Sequence, residues 1–445
     1  MTDQGNEHTR SGNGSRADAT GEFFSLGQPL HALRAGYVKR RADDVLYDTI
    51  AAGRYAHVIA PDRSGKTSLI AATAARLEAN GFKVAILDLT QIGERDGGSD
   101  AGRFYYSVAY RLLRQLRIRT DLQTWWQDKS ILSNRQRLVE FYSEVILGNL
   151  SDHIVVFVDG LQCVGELPFA DQLLASIRAA HNSRTTDPDF ARLTFALLGE
   201  CDPNALVEHP ETSPFHVTQP VVLEDFNREE TGLFGTELGI SPADASTALD
   251  RIHFWTGGQP YLTQKIARAV AREGAADDVN EQVDRLVVQQ FVGRNVMLNE
   301  RHLAHIHRRV VNHPVHASAL LNLYGRIRKG IEVQADLGSP LHRFLIAIGL
   351  VVIDDERCLV IRNRLYAAVF TARWANENLP VQWRGLIVAA SVILVMLAVP
   401  FWYTQLLPRG YVDTLTSLDA ELQQAADAYT NFSSFPGHGG VAENL

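Results

Sequence analysis

From Phe23 onward, short continuous apolar runs alternate with segments of helical period. The runs Ala56–Ala60, Lys83–Leu89, His153–Asp159 and Leu193–Gly199 are apolar on both faces, as strands buried in a parallel sheet are. Helical patterns over Lys66–Asn80, Phe104–Arg117, Arg135–Asn149 and Asp171–Asn182 follow or separate them. This alternation predicts an α/β fold, a parallel sheet covered on both faces over residues 22–225. Residues 226–300 read as almost wholly helical, broken at Thr256-Gly257-Gly258-Gln259-Pro260, and predict a helical lid. Residues 301–380 read as helices followed by a hairpin, Leu350–Ile353 and Cys358–Arg362 joined through Asp354-Asp355-Glu356-Arg357, the pattern of a winged helix. Residues 1–21 are polar, without apolar period or a signal-peptide run, and predict a disordered tail.

One stretch departs from a soluble pattern. Gly385 to Pro408 are 24 consecutive uncharged residues, with Trp383, Trp402 and Tyr403 at the ends. At ~1.5 Å per residue a helix of this kind covers a bilayer core of about 30 Å. It predicts a single transmembrane helix over residues 384–407. Arg364, Arg373 and Arg384 precede it and only Arg409 follows closely. The positive-inside rule then places residues 1–384 in the cytoplasm, the span in the inner membrane and the 408–445 tail outside. The net charge of −8 falls to −4 once the acidic tail is set aside, which disfavours a dominant nucleic-acid surface. Cys163, Cys201 and Cys358 lie far apart, so neither a disulfide framework nor a zinc signature is expected.

The chemical signal lies after the first strand, in Ala60-Pro61-Asp62-Arg63-Ser64-Gly65-Lys66-Thr67-Ser68. It fits GxxxxGK[ST] except that Ala60 stands at the first glycine. Such a loop turns backbone N–H groups toward phosphates, aims a lysine at the β/γ-phosphates and offers a hydroxyl to Mg²⁺. Residues Pro61 to Ser68 are therefore the expected nucleotide-binding set, with Thr67 on the metal. The strand ending in Asp159 supplies the expected second metal-side group. Gly160 follows where an active ATPase of this type carries an acid that orients the attacking water, so slow or impaired hydrolysis is expected. Glu166 and Glu200 are the carboxylates that could take over that role.

With these elements in hand, the chain resembles the bacterial AAA-like domain family, P-loop ATPases close to the STAND signalling class. The resemblance runs from about Phe23 to Asn378. It is carried by Tyr37 to Asp43, the Gly65 to Leu69 motif, Leu87-Asp88-Leu89-Thr90, Trp125-Trp126, Leu167-Pro168-Phe169, Leu193 to Gly199, Ser213-Pro214-Phe215, Thr256 to Leu262 and Arg362 to Tyr366. It implies ATP/ADP and Mg²⁺ as ligands and a nucleotide-controlled opening of lid and winged helix. It also implies that Pro260, in a turn resembling the Gly-x-Pro of STAND ATPases, touches the nucleotide. The family usually has Asp-Glu where this chain has Asp159-Gly160.

The function expected is a membrane-anchored STAND-like ATP-binding switch that recruits an unknown protein partner or self-associates when activated. The alternatives are a true ATPase motor and a nucleotide-dependent DNA-binding protein acting through the winged helix. Arg184 and Arg192 flank the segment before the fourth strand, as solvated loop arginines or, alternatively, as phosphate ligands. His302, His305, His307, His313 and His316 read as surface histidines of an ordinary helix rather than a metal site. Arg308, Arg309, Arg326, Arg328 and Lys329 could face DNA, but near-neutral charge favours a protein-facing or intramolecular role.

Overall fold

The computed structural model describes residue 24 and residues 36–92, 101–166, 171–203, 206, 210–380, 383–416 and 421–436. The expected 1–21 tail and the Leu167-Pro168-Phe169 patch lie outside them. The chain divides into two compact units, Met1–Leu379 and Pro380–Leu445.

The first unit is built on a parallel sheet. Strands β1 (Tyr55–Ile59), β2 (Lys83–Asp88), β3 (Ile154–Asp159), β4 (Leu193–Gly199) and β5 (Thr218–Pro220) lie in the order β2-β3-β4-β1-β5. The strand read at Ala56–Ala60 thus sits one residue earlier. The fifth strand escaped the sequence pattern because it is three residues long and ends in proline, which is tolerated only at a sheet edge. Helices α1 (Arg41–Ala51) and α2 (Lys66–Ala79) cover one face through Leu46, Ile50, Leu69 and Leu77. Helices α3 (Ala101–Gln115), α4 (Asn134–Glu140) and α5 (Asp171–Ser183) cover the other through Tyr105, Leu112, Leu138 and Leu174. Strand β4 is buried at every position, which is why it reads as an unbroken apolar run.

Beyond β5, helices α6 (Pro242–Thr256), α7 (Pro260–Glu273), α8 (Val279–Phe291), α9 (Arg301–Val311), α10 (Ala317–Arg328) and α11 (Pro340–Ala347) lead to an antiparallel pair, β6 (Val351–Ile353) and β7 (Leu359–Ile361). These elements share a single apolar core that runs from Phe226 through Leu262, Val287, Ile306 and Tyr324 to Trp374. The Gly-Gly-Gln-Pro break joins α6 to α7. There the Gly258 carbonyl accepts a hydrogen bond from Phe226 N at 2.9 Å, tying the joint to the segment leaving the sheet.

The second unit contains α12 (Trp383–Phe401), which continues through Trp402–Leu406 into Leu407–Thr416. The helical run Ala390–Thr416 is long and apolar enough to cross a membrane, by length and composition, and its apolar window is wholly exposed. A further helix, Leu422–Ser433, has its own buried face at Ala428 and Phe432, and Phe435 packs on Tyr403 and Tyr411. The Gly437-His438-Gly439-Gly440 end lies outside the described residues.

Candidate functional site

The loop Ala60–Gly65 leaves the carboxyl end of β1 and hands the chain to α2. Strand order sets what faces it. Strand β4 lies between β1 and β3, so the residues after β1, β3 and β4 converge at one edge. Ala60 N donates to the Gly199 carbonyl at 3.0 Å, fixing the register where the loop begins. The Lys66 ammonium donates to the carbonyls of Ala60 and Pro61 at 2.8 and 2.7 Å. Burial lowers its pKa, while the carboxylates of Glu200, Asp62 and Asp159 oppose that shift. Thr67 Oγ1 lies 3.4 Å from Asp159 Oδ2. A hydroxyl and a carboxylate brought together beside the lysine are the donor set that Mg²⁺ on a polyphosphate takes. Burial raises the Asp159 pKa, and Lys66, the Gly160 N–H and Thr67 counter it.

Gly160 explains its own presence. Its φ is +83°, and a Cβ there would stand 3.0 Å from Thr90 Cγ2. An acid at this position would be strained in any rotamer. Ser64 is buried, and Gly65 opens α2 as its cap. Glu166 ends the 3-10 turn Leu161–Glu166, and its side chain is not among those described. Glu200 is buried directly after β4, its backbone N–H bound to Gln162 Oε1 at 3.2 Å.

The α6–α11 half and its hairpin reach this loop directly. Gln259 Nε2 donates to the Arg63 carbonyl at 3.2 Å. The Arg63 guanidinium stacks over Tyr261, 4.3 Å from the ring centroid. His302 Nδ1 lies 3.8 Å from Asp62 Oδ2, and its Nε2 shares a hydrogen bond with Tyr366 Oη at 2.6 Å. Burial alone would raise the Asp62 carboxyl, but the neighbouring His302, with His305 and Lys66, holds it down at about 2. His305 Nε2 lies 3.1 and 3.3 Å from the two Glu200 oxygens. Arg343 pairs with Asp202 at 2.6 Å, and Arg362 grips Asp225 through two bonds of 2.8 and 2.6 Å. Pro260 is buried as the first residue of α7, and the turn's hydrogen bond to the loop comes from its neighbour Gln259.

Two expectations are corrected. His302 is 1% exposed and His305 Nε2 is hydrogen-bonded to Glu200, so these two are not free surface histidines. Their i, i+3 spacing on one helix face was the available signal. Arg184 binds the carbonyls of Gly53 and Leu193, and Arg192 those of Leu150 and Leu147. Both therefore brace the amino end of β4, the opposite end of the strand from the loop, and neither is a solvated or phosphate-binding arginine. Arg40, within the Tyr37 to Asp43 patch, has a place at the loop that the sequence does not signal: it is 6% exposed, donates to the Ser64 carbonyl at 2.9 Å and packs against Gly65.

A lysine-bearing loop between strand and helix, with a facing Asp–Thr pair on a five-stranded parallel sheet, defines a P-loop nucleoside-triphosphatase fold. The chain belongs to the AAA-like domain family, whose model matches residues 28–372. An uncharacterized WD repeat-containing protein of Synechocystis is 28% identical over 368 residues, covering 80% of this chain but only 30% of that relative. A Walker-type ATPase of Pyrococcus abyssi matches in structure with a TM-score of 0.52 at 15% identity, over 78% of this chain and 98% of that one. The Aeropyrum pernix ORC2 protein aligns with a TM-score of 0.45 at 14% identity, over 83% of this chain and 98% of that one. At 15% identity the likeness to the Pyrococcus protein is one of fold.

Proposed function

We propose that this chain is an ATP–Mg²⁺-binding, STAND-like switch anchored by one membrane helix. In this reading residues 22–225 bind nucleotide, 226–300 form the lid, 301–380 a winged helix, and 384–407 cross the membrane with the amino-terminal bulk in the cytoplasm. The observation that carries it is the direct seating of Gln259, Tyr261, His302 and His305 on the P-loop edge. A switch needs its moving half to read the phosphate site, and these contacts are where nucleotide would change the balance between closed and open.

Lys66 would take the β/γ-phosphates, and Thr67 and Asp159 would hold Mg²⁺. The metal, when bound, neutralises phosphate charge. The protein's own part is to aim the loop N–H groups, keep Lys66 charged among three carboxylates and keep Asp159 turned toward Thr67. Gly160 stands where a motor of this type carries its acid, and its surroundings resist one, so turnover must draw on a carboxylate from elsewhere in the chain. Opening would expose a surface for self-association or for a protein partner.

The test is ligand-induced stabilisation of the full chain. ATP–Mg²⁺ at ~100 times its dissociation constant adds about 2.7 kcal/mol of apparent stability, and Lys66→Ala is expected to abolish the shift. No shift in the wild type at millimolar ATP–Mg²⁺ would remove the nucleotide reading.

A further inference from the structure

Three carboxylates act on Lys66: Glu200, Asp62 and Asp159. Asp159 is engaged by Thr67 and by the Gly160 N–H at 2.9 Å. Asp62 faces His302. Glu200 is different. It leaves the strand that separates the P-loop strand from the Asp159 strand, so it stands between the phosphate loop and the metal-side aspartate. Its side chain is 5% exposed, and both oxygens lie within hydrogen-bond distance of His305 Nε2, on a helix 105 residues further along. A buried carboxylate at this edge, held by a side chain of the closing half, has no evident need if its role is only to anchor. Arg343–Asp202 and Arg362–Asp225 already join the two halves with better geometry.

We infer that Glu200 is the carboxylate that orients the attacking water in this chain, and that His305 withholds it in the closed arrangement. The inference rests on the nucleotide-binding reading above. In the step it serves, a water oxygen forms a bond to the γ-phosphorus as the bond from that phosphorus to the bridging oxygen breaks, leaving ADP and inorganic phosphate. The water proton passes to the Glu200 carboxylate and from there to the phosphate released, so the carboxylate is regenerated. While His305 Nε2–H is shared between the two Glu200 oxygens, it takes one acceptor site on each and holds the carboxylate oriented toward α9 rather than toward a water on the phosphate. Moving α9 away frees them. The acid missing at position 160 is thereby supplied from the next strand, and its availability depends on the switch.

His302 fixes the helix that does this. It is one turn from His305, sits against the P-loop through Asp62 and is anchored behind by Tyr366. Helix α9 therefore touches the phosphate edge at two carboxylates and cannot leave one without disturbing the other.

The test uses the full 445-residue chain in detergent, with single-turnover ATP hydrolysis, ATP affinity and amide hydrogen exchange of α9 without nucleotide. His305→Ala should raise the hydrolysis rate by about 5- to 150-fold, the usual span of a coupling between sites, with ATP affinity within about threefold. His305→Gln, which keeps a donor, should stay near wild type. Glu200→Gln should slow turnover by about 10²–10⁴-fold while retaining Lys66-dependent ATP binding. Both Glu200→Gln and His305→Ala should speed exchange across Arg301–Val311 in the nucleotide-free protein. The double variant His305→Ala/Glu200→Gln should be as slow as Glu200→Gln alone. If the double variant is as fast as His305→Ala, the histidine acts by opening the fold and the assignment of Glu200 is wrong. Unchanged turnover in Glu200→Gln, or no acceleration in His305→Ala, overturns the gate while leaving nucleotide binding intact. Loss of all Lys66-dependent binding in the wild type overturns the nucleotide reading and the gate with it.

Discussion

Gly349 offers a way to push the carboxyl-terminal half of the first unit off the P-loop without deleting a single functional group. It lies between α11 and β6 with φ +73°, and a Cβ added there would stand 2.5 Å from Pro61 Cγ and 2.6 Å from Pro61 Cβ, in the loop itself. It would also collide with the Arg362 guanidinium that pairs with Asp225. Gly330 is the natural control: its φ is +76°, and a Cβ would meet nothing within 4 Å. Alanine at either position pays the left-handed backbone strain of about 1–2 kcal/mol. Only at 349 is overpacking added, about 1–3 kcal/mol, because Pro61 is ring-locked and Arg362 is 8% exposed and salt-bridged. Denaturant unfolding of the full chain should therefore show Gly349→Ala less stable than Gly330→Ala by about 1–3 kcal/mol. Amide exchange around the P-loop and in α9 should rise for Gly349→Ala alone. Equal destabilisation by the two variants, with equal exchange, would refute the idea that this glycine is kept for the approach of the hairpin to the loop.

Asp62 makes a prediction in acid. Its folded pKa is depressed to about 2, so the stabilisation it contributes is present above the unfolded value near ~3.9 and is lost as pH falls toward the folded one; stability curves from pH 5 downward should be steeper for wild type than for Asp62→Asn, and coincident slopes would show that His302 does not hold this carboxylate. Gly160→Glu should lower stability by about 1–2 kcal/mol for its left-handed backbone and should not by itself restore fast hydrolysis; a several-per-second rate in that variant would show the site accepts an acid there. Reporter fusions at residue 380 and at the carboxyl end should fall on opposite sides of the membrane, and the same side for both would remove the span.

Much of the nucleotide core was legible because its determinants are local. Strands β2, β3 and β4 are short apolar runs bounded by polar residues, and a buried parallel strand needs no partner-specific pattern to be recognised. The P-loop is contiguous, and its strand–helix context lies within a dozen residues on either side. The rest was hidden by distance. Nothing near His305 in the chain indicates Glu200, and nothing near His302 indicates Asp62; each pair is made by the packing of one half on the other. Arg184 and Arg192 misled for the same reason in reverse. Their sequence neighbourhood suggests a loop near a strand, but only the parallel topology reveals that residues before β4 lie at the end of the sheet away from the loop that follows β1. The seven residues Phe141–Leu147, read as a continuation of the helix before them, wind as a π-helix, a departure that periodicity over so short a stretch cannot register.

The same distance has an electrostatic consequence. A loop that must accept a polyphosphate has three carboxylates around its lysine, which repel an anion unless they are compensated. Two of them lie beside imidazoles of α9, and the third is met by Thr67 and a backbone N–H. Withdrawal of α9 strips both imidazoles at once. Asp62 and Glu200 then face Lys66 without a partner from the other half, and the site is best matched by a ligand that carries its own cations. A metal-loaded triphosphate brings that positive charge with it. In the proposed switch, ligand and conformation are linked through the same two side chains. Differential affinity is what allows a ligand to shift a conformational equilibrium at all.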